Sequence, residues 1–191
     1  VTLSESGGAV NSTTIYIRIA SASVASGNSD AVSGNVTCTS ASATTQTVSA
    51  SGTIYNTPTA SAGSDIDQCN TSSFTLAATN PSIGSGIWTS TGGSVTTPSA
   101  YNSGVTGVTS GNNYTFTWTV SNGSCSDAID NVVLTNNSLP TASASTSTPS
   151  LCESGTISLT GSASGGSGGG YVYSWTGPSS YSTSTQSPTV S

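Results

Sequence analysis

Histidine and methionine are absent from this chain of 191 residues, and Arg18 is its only cation. The missing histidine removes the commonest general base and the commonest metal ligand together. Serine is abundant, yet a serine nucleophile needs a base beside it. With neither histidine nor lysine present, such catalysis is all but excluded. Charged residues make up only 4% of the chain and the net charge is -6, so no basic patch can form. Nucleic acid and anionic membrane surfaces are therefore poor partners. No apolar run approaches the ~20 residues that cross a bilayer as a helix, which argues against membrane insertion.

What is present is a pattern of alternation. In Asn113 to Cys125, NYTFTWTVSNGSC, the bulky residues Tyr114, Phe116, Trp118 and Val120 alternate with Thr115, Thr117, Thr119 and Ser121. A side-chain period of two places the first set on one face, giving a strand with a dry side and a wet side. Ser-Asn-Gly then signals a turn before Cys125. Low charge with few large apolar residues also marks disorder, but here the charge is too small to expand the chain. The polar residues are Ser and Thr in strand-like alternation, so a folded all-β protein is expected.

Taken in order, VTLSES from Val1, TIYIRIA over Thr14–Ala20, NVTCTS over Asn35–Ser40 and QTVSASGTIY over Gln46–Tyr55 read as strands. Four strands fall short of the ~7 of a sandwich, so residues 1–57 are expected to be the C-terminal part of a β-sandwich domain. At Pro58 a repeat begins. Pro58-Thr-Ala-Ser-Ala62 recurs as Pro140-Thr-Ala-Ser-Ala144, followed by Cys69 and Cys152, by the pairs Phe74/Leu76 and Ile157/Leu159, and by Trp88 and Trp175. A period of about 82 residues is the size of one small sandwich.

Residues 58–138 thus read as one complete β-sandwich unit. Strands are expected at Thr59–Ala62, Ser73–Thr79, Gly86–Ser90, Ser94–Thr97, Ala100–Val108, Asn113–Ser121 and Ile129–Thr135, packed as two antiparallel sheets. Residues 139–191 read as the N-terminal part of a further such domain, with Gly161 to Gly170 lengthening a loop. Because the chain opens at Val1 in mid-pattern, it reads as a piece of a longer protein.

Cys69 and Cys125 fall before the second strand and after the sixth strand of the complete unit, where a disulfide is expected to contribute roughly 4 kcal/mol and to imply an oxidising compartment. Two buried thiols are the plainer reading. Zinc is poorly supported, since Cys38, Cys69, Cys125 and Cys152 contain no C-x-x-C pair. Among the acids Glu5, Asp30, Asp65, Asp67, Asp127, Asp130 and Glu153, that bridge would gather Asp65, Asp67, Asp127 and Asp130 at one end. They are candidates for calcium and, less so, for glycoside hydrolysis, although solvated turn aspartates are commoner. Trp88, Trp118 and Trp175 suit core packing better than a sugar platform, while Tyr171, Tyr173 and Tyr181 are candidate surface contacts. Asn11, Asn35, Asn70, Asn113, Asn122 and Asn136 open N-x-S/T sequons, which chance also produces in so Asn-, Ser- and Thr-rich a chain.

PTASAGSDIDQC, GIWTSTGG and NYTFTWTVSNGSC together resemble the tandem PKD-like or immunoglobulin-like repeats of very large surface proteins of gliding and related Gram-negative bacteria. YSWTGPSSYSTSTQSPTVS is similar to another version of that repeat, and STTIYIRIA with SGNVTCTSASATTQTVSASGTI resembles the end of a β-sandwich unit found beside them. The resemblance implies export by the type IX route, an extracellular location, and a non-catalytic stalk or filament segment of an adhesin, its partners being further domains of the same long chain. Two alternatives stand beside it: a module of an adhesin or secreted enzyme that binds carbohydrate, such as a surface glycan, or a host surface, and a filament subunit completed by strand sharing between neighbouring copies. No sorting domain follows the repeats in this sequence.

Overall fold

The computed structural model describes residues 27–39, 44–147, 150, 152 and 154–191. The strands expected at VTLSES and TIYIRIA lie outside the described residues. Every regular element among those described is a β-strand, and the chain divides into compact units at Val1–Asn56 and Thr57–Ser191.

In the first unit, β1 (Ser29–Cys38) and β2 (Gln46–Tyr55) form an antiparallel hairpin, with Ser29 opposite Tyr55 and Cys38 opposite Gln46. The first strand starts at Ser29 rather than Asn35. Ser29 to Gly34 has little strand propensity of its own, and pairing along the whole of β2 supplies what propensity does not. At the hairpin's open end the Asn56 N–H donates to the Asn28 carbonyl.

The second unit opens with two sheets on one core. One runs β3 (Ile66–Cys69), β9 (Ala128–Asn137), β8 (Asn112–Ser121), β5 (Ser85–Ser90); the other runs β4 (Ser73–Thr75), β7 (Gly104–Thr106), β6 (Ser94–Val95). This is the strand arrangement of an immunoglobulin-like sandwich, and its inner faces bury Leu76, Trp88, Val105, Phe116, Trp118, Val120, Val132 and Leu134. The alternation in β8 falls as its period requires. Phe116, Trp118 and Val120 are buried, and the intervening threonines are only half-covered.

One expected strand is displaced. Thr59–Ala62 is not in a ladder; only its Ser61 carbonyl is tied to this sheet, by the Thr79 N–H at 2.9 Å. After Ala62 the chain leaves at Gly63, whose φ of +92° suits glycine and where a Cβ would lie 2.9 Å from the Ala77 carbonyl oxygen. It crosses to the other sheet and becomes β3, parallel to β9.

The second copy of the repeat takes the other course. β10 (Thr141–Thr146) pairs antiparallel with β11 (Ile157–Ser164), and Ser143 sits opposite Ser162, the positions equivalent to Ser61 and Thr79. Where the first copy has Gly63, this one has Ser145, which stays in the strand opposite Thr160. β12 (Trp175–Thr176) and β13 (Ser182–Thr183) form a short hairpin, and β14 (Thr189–Val190) joins the far edge of β11.

Candidate functional site

The polar side chains of residues 57–138 concentrate on the seam between its first strand and its last. β3 runs parallel to β9, with Ile66 opposite Leu134 and Cys69 opposite Asn137. Carboxylates bracket that ladder. The Ala62 N–H donates to Asp130 Oδ2 at 2.7 Å, the Val133 N–H donates to Asp65 Oδ1 at 2.9 Å, and the Asn137 amide donates to Asp67 Oδ1. Beyond Cys69 the Asn70 N–H donates to the Asn137 carbonyl at 2.8 Å, and the fully buried Asn136 amide both accepts from the Thr71 N–H and donates to the Thr71 carbonyl. Backbone donors left over by a short parallel ladder are thus met by side chains.

This register overturns the expected disulfide. Cys69 lies where β9 ends, whereas Cys125 lies in the turn that precedes Ala128, where β9 begins. At about 3.3 Å per residue the two ends of that strand are about 30 Å apart, against the ~7 Å limit on Cα separation for a bridge. No disulfide joins them. The sequence shows that Cys69 precedes one strand and Cys125 follows another, but those strands, β4 and β8, begin at the same end of the sandwich, where Thr71 meets Asn136 opposite Asn112, so the two cysteines lie at opposite ends.

The same geometry spreads the four aspartates. Asp65, Asp67 and Asp130 are engaged along the seam and Asp127 sits exposed in the β8–β9 turn, so they do not converge as a calcium site requires. Among the described residues no three His, Cys, Asp or Glu side chains gather in a metal-binding group. Glu5 and Glu153 lie outside the described residues.

The core explains how the sandwich closes without sulfur. Trp88 of β5 faces Trp118 of β8, ring centroids 4.9 Å apart, and the Trp88 indole N–H donates to the Tyr101 carbonyl at 3.3 Å. Phe116 meets Phe74 of β4 edge-on at 5.2 Å. In immunoglobulin domains a tyrosine corner sits two residues before the second cysteine of the inter-sheet bridge. Tyr114 holds that place here, so Phe116 stands at the cysteine position and the Phe74–Phe116 contact spans the sheets instead.

Tyr114 was legible only as an apolar member of β8. Its hydroxyl lies 3.0 Å from the Thr109 hydroxyl and accepts from the Thr109 N–H at 2.9 Å. These contacts, the side chain first, hold the phenol below its usual range. Folding therefore favours the phenolate, and this contribution is absent below the folded-state value and grows as pH rises towards the unfolded one. Tyr114→Phe should lower the denaturation midpoint at neutral pH and lower it further in alkali, as a urea series across pH would show. A gap that stays constant with pH would contradict the assignment.

Trp175 is half-buried, with its indole N–H bonded to the Thr185 carbonyl at 3.0 Å. Tyr171 donates to the Gly165 carbonyl and so fastens the glycine-rich loop. Of the sequons, Asn136 and Asn122 are buried, Asn35, Asn70 and Asn113 are exposed, and Asn11 lies outside the described residues.

No protein-family model and no curated protein matches the chain. A similar solved structure is the N-terminal eight Ig domains of Down Syndrome Cell Adhesion Molecule, isoform 1.30.30, at 12% identity and a TM-score of 0.43. The match covers 70% of this chain and 22% of that one. At those values the immunoglobulin-like assignment rests on strand order and register alone.

Proposed function

We propose that this chain is a non-catalytic stalk segment of an extracellular adhesive protein, and that its middle sandwich is built to carry tension. The observation behind this reading is the parallel pairing of β3 with β9. Tension drawing the two ends of residues 57–138 apart pulls β3 back along its own axis and β9 forward along the same axis. The ladder is then loaded in shear, all its bonds together, rather than opened one pair at a time. Asp67 adds a side-chain tie between the two strands, and Asp65, Asp130 and Asn136 tie β9 to the residues that flank β3.

The composition supports the same role. Thr and Ser cover the wet faces without charge, and the chain has neither histidine nor lysine to serve as a general base. The repeat resemblance supports placement outside a Gram-negative bacterium, with more sandwich units in line.

Pulling single chains from their ends tests the tension reading. The middle sandwich should yield last, and Asp65→Ala with Asp130→Ala should lower its rupture force well beyond what Thr117→Ala on the outward face does. Charge-assisted hydrogen bonds contribute about 1.5–3 kcal/mol each, the exposed Asp65 falling at the low end. Rupture forces equal in the double variant and the parent would remove the basis for the proposal.

A further inference from the structure

We propose that Asn122-Gly123 is a latent modification site, closed while the middle sandwich is folded and opened when it unfolds, whose reaction makes that unfolding irreversible. It is the only Asn-Gly pair in the chain.

The chemistry belongs to the pair itself. Gly123 has no side chain to hinder approach, so its backbone nitrogen can reach the side-chain carbonyl carbon of Asn122. The bond from the Gly123 nitrogen to Asn122 Cγ forms as the Cγ–Nδ2 bond breaks, and ammonia leaves with the proton that the backbone nitrogen gives up. Water then opens the cyclic imide at either carbonyl. The product is aspartate or, where the main chain now runs through the side chain, isoaspartate. Asparagine is thermolabile by this route, and water is the only co-reactant.

The fold withholds these steps. Asn122 continues the inward series Phe116, Trp118 and Val120 past the end of β8 and is 5% exposed. The chain at Gly84 lies directly against it: a Cβ built there would come within 3.2 Å of Asn122 Cβ and would also meet the Ser121 carbonyl. The Cys125 N–H donates to the Asn122 carbonyl at 3.1 Å and closes the turn, with Gly123 at a φ of +57°. A side chain packed in this way is kept from the water that opens the ring, and a turn closed by its own hydrogen bond resists the rotation that ring closure needs. The positive φ also retains the glycine, because other residues are strained there. Asn35, Asn70 and Asn113 are exposed, but Val36, Thr71 and Tyr114 follow them and crowd the same approach. The one reactive pair is thus a buried one.

Conversion in the unfolded chain bars the way back. Aspartate would have to return to an inward position as a carboxylate, at the cost of burying its charge. Isoaspartate adds a methylene to the main chain where β8 enters its turn. A brief opening leaves the sandwich intact, whereas a long one retires it, so the pair times the unfolded state.

Ageing the full chain in mild alkali, once folded and once in denaturant, tests the proposal by peptide mass. In denaturant Asn122 should convert first among the asparagines, with the mass gain of an amide turned acid. In the folded chain conversion should be slower by about a thousandfold or more, in proportion to the unfolded fraction. When denaturant is removed, the fraction that recovers the parent melting transition should fall in step with conversion. Asn122→Gln keeps an amide but needs a larger ring, so the same ageing should leave its refolding equal to that of its own unaged sample. The mass comparison uses the parent alone and decides the matter if that variant does not fold. Equal rates in the two states, faster conversion at another asparagine, full refolding of the converted chain, or loss of refolding in Asn122→Gln at the parent's pace would each overturn it.

Discussion

Gly86→Ala is expected to unfold the middle sandwich, or to leave it so marginal that its thermal transition falls by tens of degrees. A Cβ at this position would lie 2.0 Å from Trp118 Cζ2 and 2.4 Å from Cη2, far inside any permitted contact. Gly86 carries no unusual backbone angle, so its side-chain-free state serves packing alone. The inward positions of β5 are Gly86 and Trp88, and the indole of Trp118 lies over the first while facing the second. Trp118 is held by that fit rather than by a hydrogen bond, for its Nε1 has no partner among the described residues.

A methyl group at Gly86 therefore displaces the largest buried side chain of the sandwich. Displacing it forfeits a large share of the roughly 3–5 kcal/mol that losing a buried tryptophan costs. Small domains have roughly 0.05–0.15 kcal/mol of stability per residue, so this one change takes much of what a sandwich of this size has. Circular dichroism melts of the parent and the variant are the measurement. A melting point within a few degrees of the parent would show that Trp118 can relocate and that the fit is not tight.

How much of this was open to sequence reading depended on whether a signal was local. The period of two in β8 assigned Phe116, Trp118 and Val120 to the inner face, because alternate side chains of any strand point to opposite faces. The repeat beginning at Pro58 and Pro140 likewise picked out Phe74 and Leu76 with Ile157 and Leu159, since equal spacing in two copies is visible in one line of text. The edge strand was not visible in that way. Ile66-Asp-Gln-Cys69 has one large apolar residue, and no local pattern states which sheet a short strand joins or in which direction.

The aspartates read as one cluster only through the assumed Cys69–Cys125 bridge. Cys69 precedes β4 and Cys125 follows β8, and both strands begin at the end where Thr71 meets Asn136 opposite Asn112, so the cysteines lie at opposite ends. The parallel β3 makes Asp65 and Asp67 partners of β9. Gly63, the residue that permits the crossing, was present in the sequence. Its meaning becomes legible only by contrast with Ser145, at the same place in the other copy, which continues its strand.

Asn136 should prove the most costly polar position to change, and the form of the cost identifies its role. Read as a sequon it is a candidate for a glycan, but it is 0% exposed and its amide is engaged at both atoms. The amide imitates a peptide unit, accepting from the Thr71 N–H at 3.1 Å and donating to the Thr71 carbonyl at 2.8 Å, while the Asn136 backbone carbonyl accepts from the Gly111 N–H. Asn136→Leu fills the same volume yet leaves both Thr71 groups unpaired, at about 1–3 kcal/mol apiece, so a loss of about 2–6 kcal/mol is expected at every pH. Asn136→Asp differs. Ionised, it buries a charge and sets an acceptor against the Thr71 carbonyl, and only the protonated acid can donate there. Burial raises the carboxyl's folded-state value above its unfolded one, so the variant is weakest at neutral pH and regains stability as the pH falls through that raised value. Denaturant melts across pH should therefore give a flat deficit for leucine and a deficit for aspartate that shrinks in acid. Matching, pH-independent deficits would mean that Asn136 contributes bulk alone and that the seam is held by its backbone ladder.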